Sequence, residues 1–202
     1  MGGAPGAPFT ASLAYPEADG LWAVSPDHEL ARWRNGDLVE RMSLGSTPDV
    51  AGVLLGRTLT ATRFGDTLAV LGRRADGSLE TSVVTLQSGG AVIEAIVETP
   101  DAFNVHPDGD GGLLVATADG LVRTYDRSGR LVGEVSTPQV DPYVVTLDPS
   151  GRLLALGSED GGVTVLDTET GESMLVSTGE QIANLGFGPE GRLLAISHLD
   201  GT

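Results

Sequence analysis

Apolar residues in this chain fall in short runs rich in Val, Leu, Ala and Thr, such as Leu113-Leu114-Val115, Leu153-Leu154-Ala155-Leu156 and Val163-Thr164-Val165-Leu166. Gly, Asp and Pro punctuate these runs about every eight to twelve positions, the spacing of short strands joined by tight turns. No stretch sustains a 3.6-residue period, and no capping box leads into one. The pattern therefore predicts an all-β protein.

The punctuation repeats. Gly-Arg-Leu-Leu-Ala occurs at 151–155 and again at 191–195, forty residues on, and each copy follows an X-Pro-X step and precedes an Asp-Gly pair (Asp160-Gly161, Asp200-Gly201). Asp119-Gly120 lies 41 residues before Asp160-Gly161, Tyr125-Asp126 lies 41 before Leu166-Asp167, and Pro107 lies 42 before Pro149. One unit reads as strand a (Tyr143–Leu147), strand b (Leu153–Gly157), strand c (Val163–Leu166) and strand d (Ser173–Ser177). Four short strands per period of about forty residues is the signature of propeller blades. Five units follow: 9–44, 50–100, 101–138, 139–178 and 181–202. In the first, the strands are read at Phe9–Leu13, Leu21–Val24, Leu30–Trp33 and Leu38–Leu44; the second holds an insertion between Gly45 and Arg63. The fifth carries strands a and b only, so the expected fold is a β-propeller of four-stranded antiparallel blades with about four and a half blades and an incomplete ring. Residues 1–8, rich in Gly, Ala and Pro, read as a flexible leader.

Segment 143–171 resembles the WD-repeat family: Thr146-Leu147-Asp148-Pro149-Ser150-Gly151-Arg152-Leu153-Leu154-Ala155 runs on to Ser158-Glu159-Asp160-Gly161-Gly162-Val163, then Leu166-Asp167 and Thr170-Gly171-Glu172. The resemblance covers 102–202 well. The Trp-Asp slot holds Tyr125-Asp126 and Leu166-Asp167, with Trp33-Arg34 and Leu86-Gln87 in the earlier units, and no Gly-His dipeptide occurs. The family's buried Asp–His–Ser–Trp network therefore has no counterpart, which leaves room for a more distant propeller family. By the resemblance, Asp126 and Asp167 cap the turn into strand d. It also implies that d–a and b–c loops share one face, which would carry Glu98, Asp101, Asp119, Asp141, Glu159, Asp160 and Glu180.

Charge narrows the partners. The net charge is −16, and all twelve basic residues are arginine. The absence of lysine fits GC-rich codon usage and suits a high-GC bacterium. Direct nucleic-acid binding needs clustered Lys and Arg, so it is disfavoured, as are anionic membrane surfaces. No apolar run approaches the length of a transmembrane helix, and the N-terminus lacks the basic and apolar regions of a signal peptide. The expected location is the cytoplasm. Cysteine is absent, which excludes disulfides, zinc–thiolate sites and cysteine nucleophiles.

Candidate chemistry is sparse. His28, His106 and His198 sit beside turn residues in different units and read as surface turn histidines; no spacing pairs them for a metal. Asp108-Gly109-Asp110-Gly111-Gly112 opens like a calcium loop, but Leu113-Leu114-Val115 reads as a strand and the twelfth position is Asp119, so an a–b hairpin turn is expected. There is no Gly-x-Ser-x-Gly elbow, and a phosphate loop ending in lysine is impossible. No catalytic residue, cofactor or metal is expected. The chain reads as a non-catalytic interaction or scaffold module that binds a basic protein, the sensing part of a larger bacterial signalling or regulatory protein. It would need further blades in cis, or self-association, to cover its open ends. Two rivals are a propeller enzyme, lactonase-like or glycan-hydrolase-like, for which Asn104 and Asn184 are the polar candidates on strand a, and a truncated array without independent function.

Overall fold

The computed structural model describes residues 13–17, 20–24, 29–44, 61–74, 76–138 and 142–198. Among them every regular element is a strand, and the strands form five antiparallel sheets in sequence order. Blade 1 holds β1 (Leu13–Glu17), β2 (Gly20–Val24), β3 (Glu29–Arg34) and β4 (Asp37–Ser43). Blade 2 holds β5 (Ala61–Phe64), β6 (Thr67–Arg73), β7 (Leu79–Gln87) and β8 (Gly90–Glu98). Blade 3 holds β9 (Ala102–Pro107), β10 (Leu113–Thr117), β11 (Leu121–Tyr125) and β12 (Leu131–Ser136). Blade 4 holds β13 (Pro142–Leu147), β14 (Leu153–Ser158), β15 (Gly162–Asp167) and β16 (Ser173–Ser177). Blade 5 has β17 (Ile182–Phe187) and β18 (Leu194–His198). This is a β-propeller-type array whose ring is not closed.

Each seam between blades is one apolar cluster. Trp22, Val24, Leu30 and Leu44 meet Leu68, Val70, Val84 and Leu86 between blades 1 and 2. Alternate residues of the same β6, Ala69 and Leu71, turn the other way and join Val105, Leu113 and Val115 of blade 3. Leu154 and Leu156 face blade 3, whereas Ala155 between them faces Ile182 and Leu185 of blade 5. A second strand buried on both faces is apolar through its middle, so β6, β10 and β14 read as runs such as 68–71, 113–116 and 153–156. First strands touch in succession, β5 to β9 to β13 to β17, and so lie innermost. Fourth strands are rims: β16 is exposed at every position and β12 at alternate ones.

Polar contacts close the first seam. Arg32, buried opposite Trp22 with its guanidinium 5.0 Å from the indole centroid, donates to the Ser88 carbonyl at 3.1 Å. The Ser82 hydroxyl donates to the Leu44 carbonyl at 2.9 Å, and the Ala91 amide to the Glu40 carboxylate at 3.1 Å.

Two expectations need adjusting. The first strand of blade 1 is Leu13–Glu17, later than Phe9–Leu13, pairing Leu13 with Val24 through Glu17 with Gly20; Pro16 is tolerated because β1 pairs on one side only. Residues 9–12, and most of the insertion after Gly45, lie outside the described residues. The repeat frame follows aspartates rather than prolines. Asp108 accepts the amides of Asp110 and Gly112, and Asp148, forty residues on, those of Ser150 and Arg152. Pro107 ends a strand while Pro149 sits inside the turn, so a proline-based frame slips by two residues.

Candidate functional site

At one end of the array, in blades 2 to 4, the b–c connection meets the segment that leaves the fourth strand of the same blade. The amide of Thr137 donates to the Gly120 carbonyl at 2.8 Å and that of Thr178 to Gly161 at 2.9 Å. Both hydroxyls bond the same carbonyls, at 2.9 and 3.0 Å. In blade 2 the Thr99 amide reaches Leu79 and its hydroxyl pairs with that of Thr81 at 3.0 Å. These threonines, each directly after a fourth strand, were not singled out in the sequence; the signal was there in Thr99-Pro100, Thr137-Pro138 and Thr178-Gly179. A threonine after a rim strand, buried at Thr99 and Thr137 and half-buried at Thr178, fixes the loop that follows it.

This clasp brings the predicted acidic residues to one end, and the structure then divides them by role. Asp119 accepts from the Thr117 hydroxyl. Asp160 accepts from the Ser158 hydroxyl and, at 3.0 Å, from the Gly162 amide. These bonds, the hydroxyl first, hold both carboxyls below the usual aspartate range. Both acids are therefore committed to building their own turns. Glu98 pairs with Arg74 at 2.7 Å, and Arg74 also holds Glu80 at 2.5 Å. Asp141 lies outside the described residues. Asp101, Glu159 and Glu180 are exposed. Among the described residues Glu159 and Glu180 make no side-chain hydrogen bond or ion pair, and the turns that carry them meet. Gly161 (φ 85°) packs so tightly on the Glu180 backbone that a Cβ there would lie 2.6 Å from its carbonyl oxygen.

The opposite end is more self-contained. Asp126 accepts from Ser128 Oγ at 2.6 Å, its amide at 2.9 Å and that of Arg130 at 3.1 Å, as expected of a cap into strand d. Asp167 accepts the amides of Glu169 and Thr170 and pairs with Arg152 at 2.6–2.8 Å. Arg152, then the Thr170 amide, pull the Asp167 carboxyl down to about 2. Asp148 is buried, which works to raise its pKa, but the Ser150 hydroxyl and the amides of Leu153, Ser150 and Arg152 outweigh burial and lower it. A cleft of about 500 Å³ lies between the Asp148–Arg152 turn and Pro189–Gly191. Its Asp148, Arg152 and Asp167 are satisfied by one another and by their own turns.

The histidines differ from the turn assignment. His106 lies within β9, opposite Leu114, and His198 ends β18, opposite Ile182; His28 is outside the described residues. Pro107 beside His106 mimics turn chemistry, but β9 runs on until its apolar pairing ends. Asn104 has a buried Oδ1 with no hydrogen-bond partner, whereas Asn184, eighty residues on, is exposed and accepts from the Leu185 amide at 2.9 Å. Among the described residues no three His, Asp or Glu gather as a metal-holding group, and no helix is long and apolar enough to cross a membrane.

A repeating four-strand sheet, packed face to face with its neighbours, invites comparison with known repeat proteins. The chain is similar to human NHL repeat-containing protein 3. The two are 29% identical over 192 residues, which cover 90% of this chain and 49% of that protein. The chain thus spans about half the length of the curated relative it matches. No protein-family model matches. The likeness supports a β-propeller-type repeat protein, and the relative is named for NHL repeats.

Proposed function

We propose that this chain is a non-catalytic interaction module that docks a basic protein segment on the b–c/d–a end of blades 3 to 5, through Glu159, Glu180 and Asp101. The observation that carries the reading is the contact of Gly161 with the Glu180 backbone, which joins the turn bearing Glu159 to the turn bearing Glu180 while the neighbouring Asp119 and Asp160 are occupied. A platform of paired turns on packed sheets costs little ordering entropy when a partner binds. The likeness to a repeat protein agrees with a binding role. The finer reading, also a proposal, is that the module serves as the sensing part of a larger cytoplasmic regulatory protein.

The test is association of an oligo-arginine peptide with the chain on a biosensor at low and physiological salt. Exposed charges are screened over a Debye length of about 8 Å near physiological strength, so association should slow with salt. Glu159→Gln/Glu180→Gln should slow it further. Glu172→Gln/Glu190→Gln makes the same charge change at the opposite end and should have little effect. Equal losses in the two variants would reduce the binding to net charge and remove this surface.

A further inference from the structure

Along β9, alternate side chains leave in opposite directions. Val105 joins the cluster of blade 2, so Asn104 and His106 lean toward blade 4. There the His106 ring lies against the backbone of Val145 on β13, and its Nε2 is buried and has no hydrogen-bond partner. The facing surface of blade 4 is Val145, Leu147, Leu154 and Leu156. A second proton on this ring would put a full charge into a seam whose facing surface is apolar and offers no counter-charge.

We propose that His106 is a neutral-only pin across the seam between blades 3 and 4, and that protonating it loosens that seam. The charged groups around it support this. β10, β13 and β14 carry no Asp, Glu or Arg. The carboxylates that follow β9 and β13, Asp108 and Asp148, are held by their own turn amides. On β11, Arg123 is paired with Glu134 at 2.8 Å. β6 and β7 pack on the Val105 side, away from the ring. Burial, with the Val145 backbone working weakly the other way, lowers the His106 pKa from 6.5 to about 4. The sign follows: between 6.5 and 4 the unfolded chain binds a proton that the folded chain refuses. The contribution is complete above 6.5 and is lost as pH falls toward 4. Blades 4 and 5 lack the device, since their equivalent positions are Thr146 and Gly186.

Proton NMR of the chain as it stands gives the first test, because it has three histidines. One imidazole should titrate near 4 instead of near 6.5. Amide protection at Val145–Leu147 should fall by about two powers of ten on going from pH 7 to pH 4, beyond any change at Trp22–Val24 in the first seam. His106→Asn keeps a donor near Nδ1 and cannot titrate, so its protection at Val145–Leu147 should stay level over that range. Three histidines titrating near 6.5 would overturn the proposal, and so would an equal loss of protection in His106→Asn. Should that variant not fold, the unsubstituted chain still decides: protection lost equally in both seams rejects a pin at this one.

Discussion

An aspartate two residues after a hydroxyl and one before a glycine serves its own turn before it serves a partner. Thr117-Ala118-Asp119-Gly120 and Ser158-Glu159-Asp160-Gly161 both have that form, which is why Asp119 and Asp160 leave the candidate surface while Glu159 stays. Their turn role was legible in the sequence, as it was for Asp126 and Asp167; what hid it was counting carboxylates without asking which hydroxyl stands two residues away. His106 was harder to read, because a histidine before proline looks like a turn and only the register with Leu114 puts it in a strand. Two outcomes belong to this scale. Gly161→Ala forces an L-residue to φ 85° and drives its Cβ against the Glu180 carbonyl, whereas Gly179 has a similar φ of 77° and open space. Gly161→Ala should lower stability by about 1–3 kcal/mol and more than Gly179→Ala in urea titrations; equal costs would mean that the close contact with Glu180 is absent. The second concerns acid. The Asp167 pKa is depressed to about 2, chiefly by Arg152, so its contribution is whole above the unfolded value of 3.8 and disappears as pH falls through 2. Asp167→Asn should flatten the fall in melting temperature between pH 4 and pH 2, and an unchanged slope would detach Asp167 from acid stability.

At the scale of the strand, position in the blade decides composition. β14 touches blade 3 with Leu154 and Leu156 and blade 5 with Ala155, so none of these three positions has room for a polar side chain. β16 lies at the rim, and Leu175 is 56% exposed. The strands from Leu113 onward stood out in the sequence because two-sided burial leaves unbroken apolar runs between Asp-Gly turns. β1 was misplaced because Tyr15-Pro16-Glu17 lacks such a run, and only pairing with Gly20–Val24 defines it. Leu154→Asp should cost roughly 2–5 kcal/mol from lost packing, and more for the buried charge. Leu175→Asp should cost within about 0.5 kcal/mol, as surface changes do. Thermal melts of the two variants check the contrast. A Leu154→Asp chain melting with the unsubstituted one would remove β14 from the core.

Over the whole molecule, stability comes from a row of seams, each shared by two neighbours. The sequence shows the number of repeats and the two-sided strands, but which residues face which neighbour depends on register and on the fall of alternate side chains. Polar ties are equally invisible, since Arg32 meets Ser88 across 56 positions and Ser82 meets Leu44 across 38. In such a row each blade answers mainly to its neighbours. Blades 2, 3 and 4 are packed on both faces. Blade 5, among the described residues, has two strands and one apolar cluster, on its blade 4 side, while Leu193 stands 75% exposed. In the 202-residue chain, amides of β17 and β18 should therefore exchange through local opening, ahead of those of β6, β10 and β14, which should wait for global unfolding. Ile182 is fully buried in the last seam, so Ile182→Ala should speed exchange in blade 5 and leave β2 and β6 unchanged. Hydrogen exchange followed by mass spectrometry reads both regions in one experiment. If Ile182→Ala raised exchange equally in blades 1 and 5, the array would unfold as one cooperative unit, and the seams could not be treated as separate contributions.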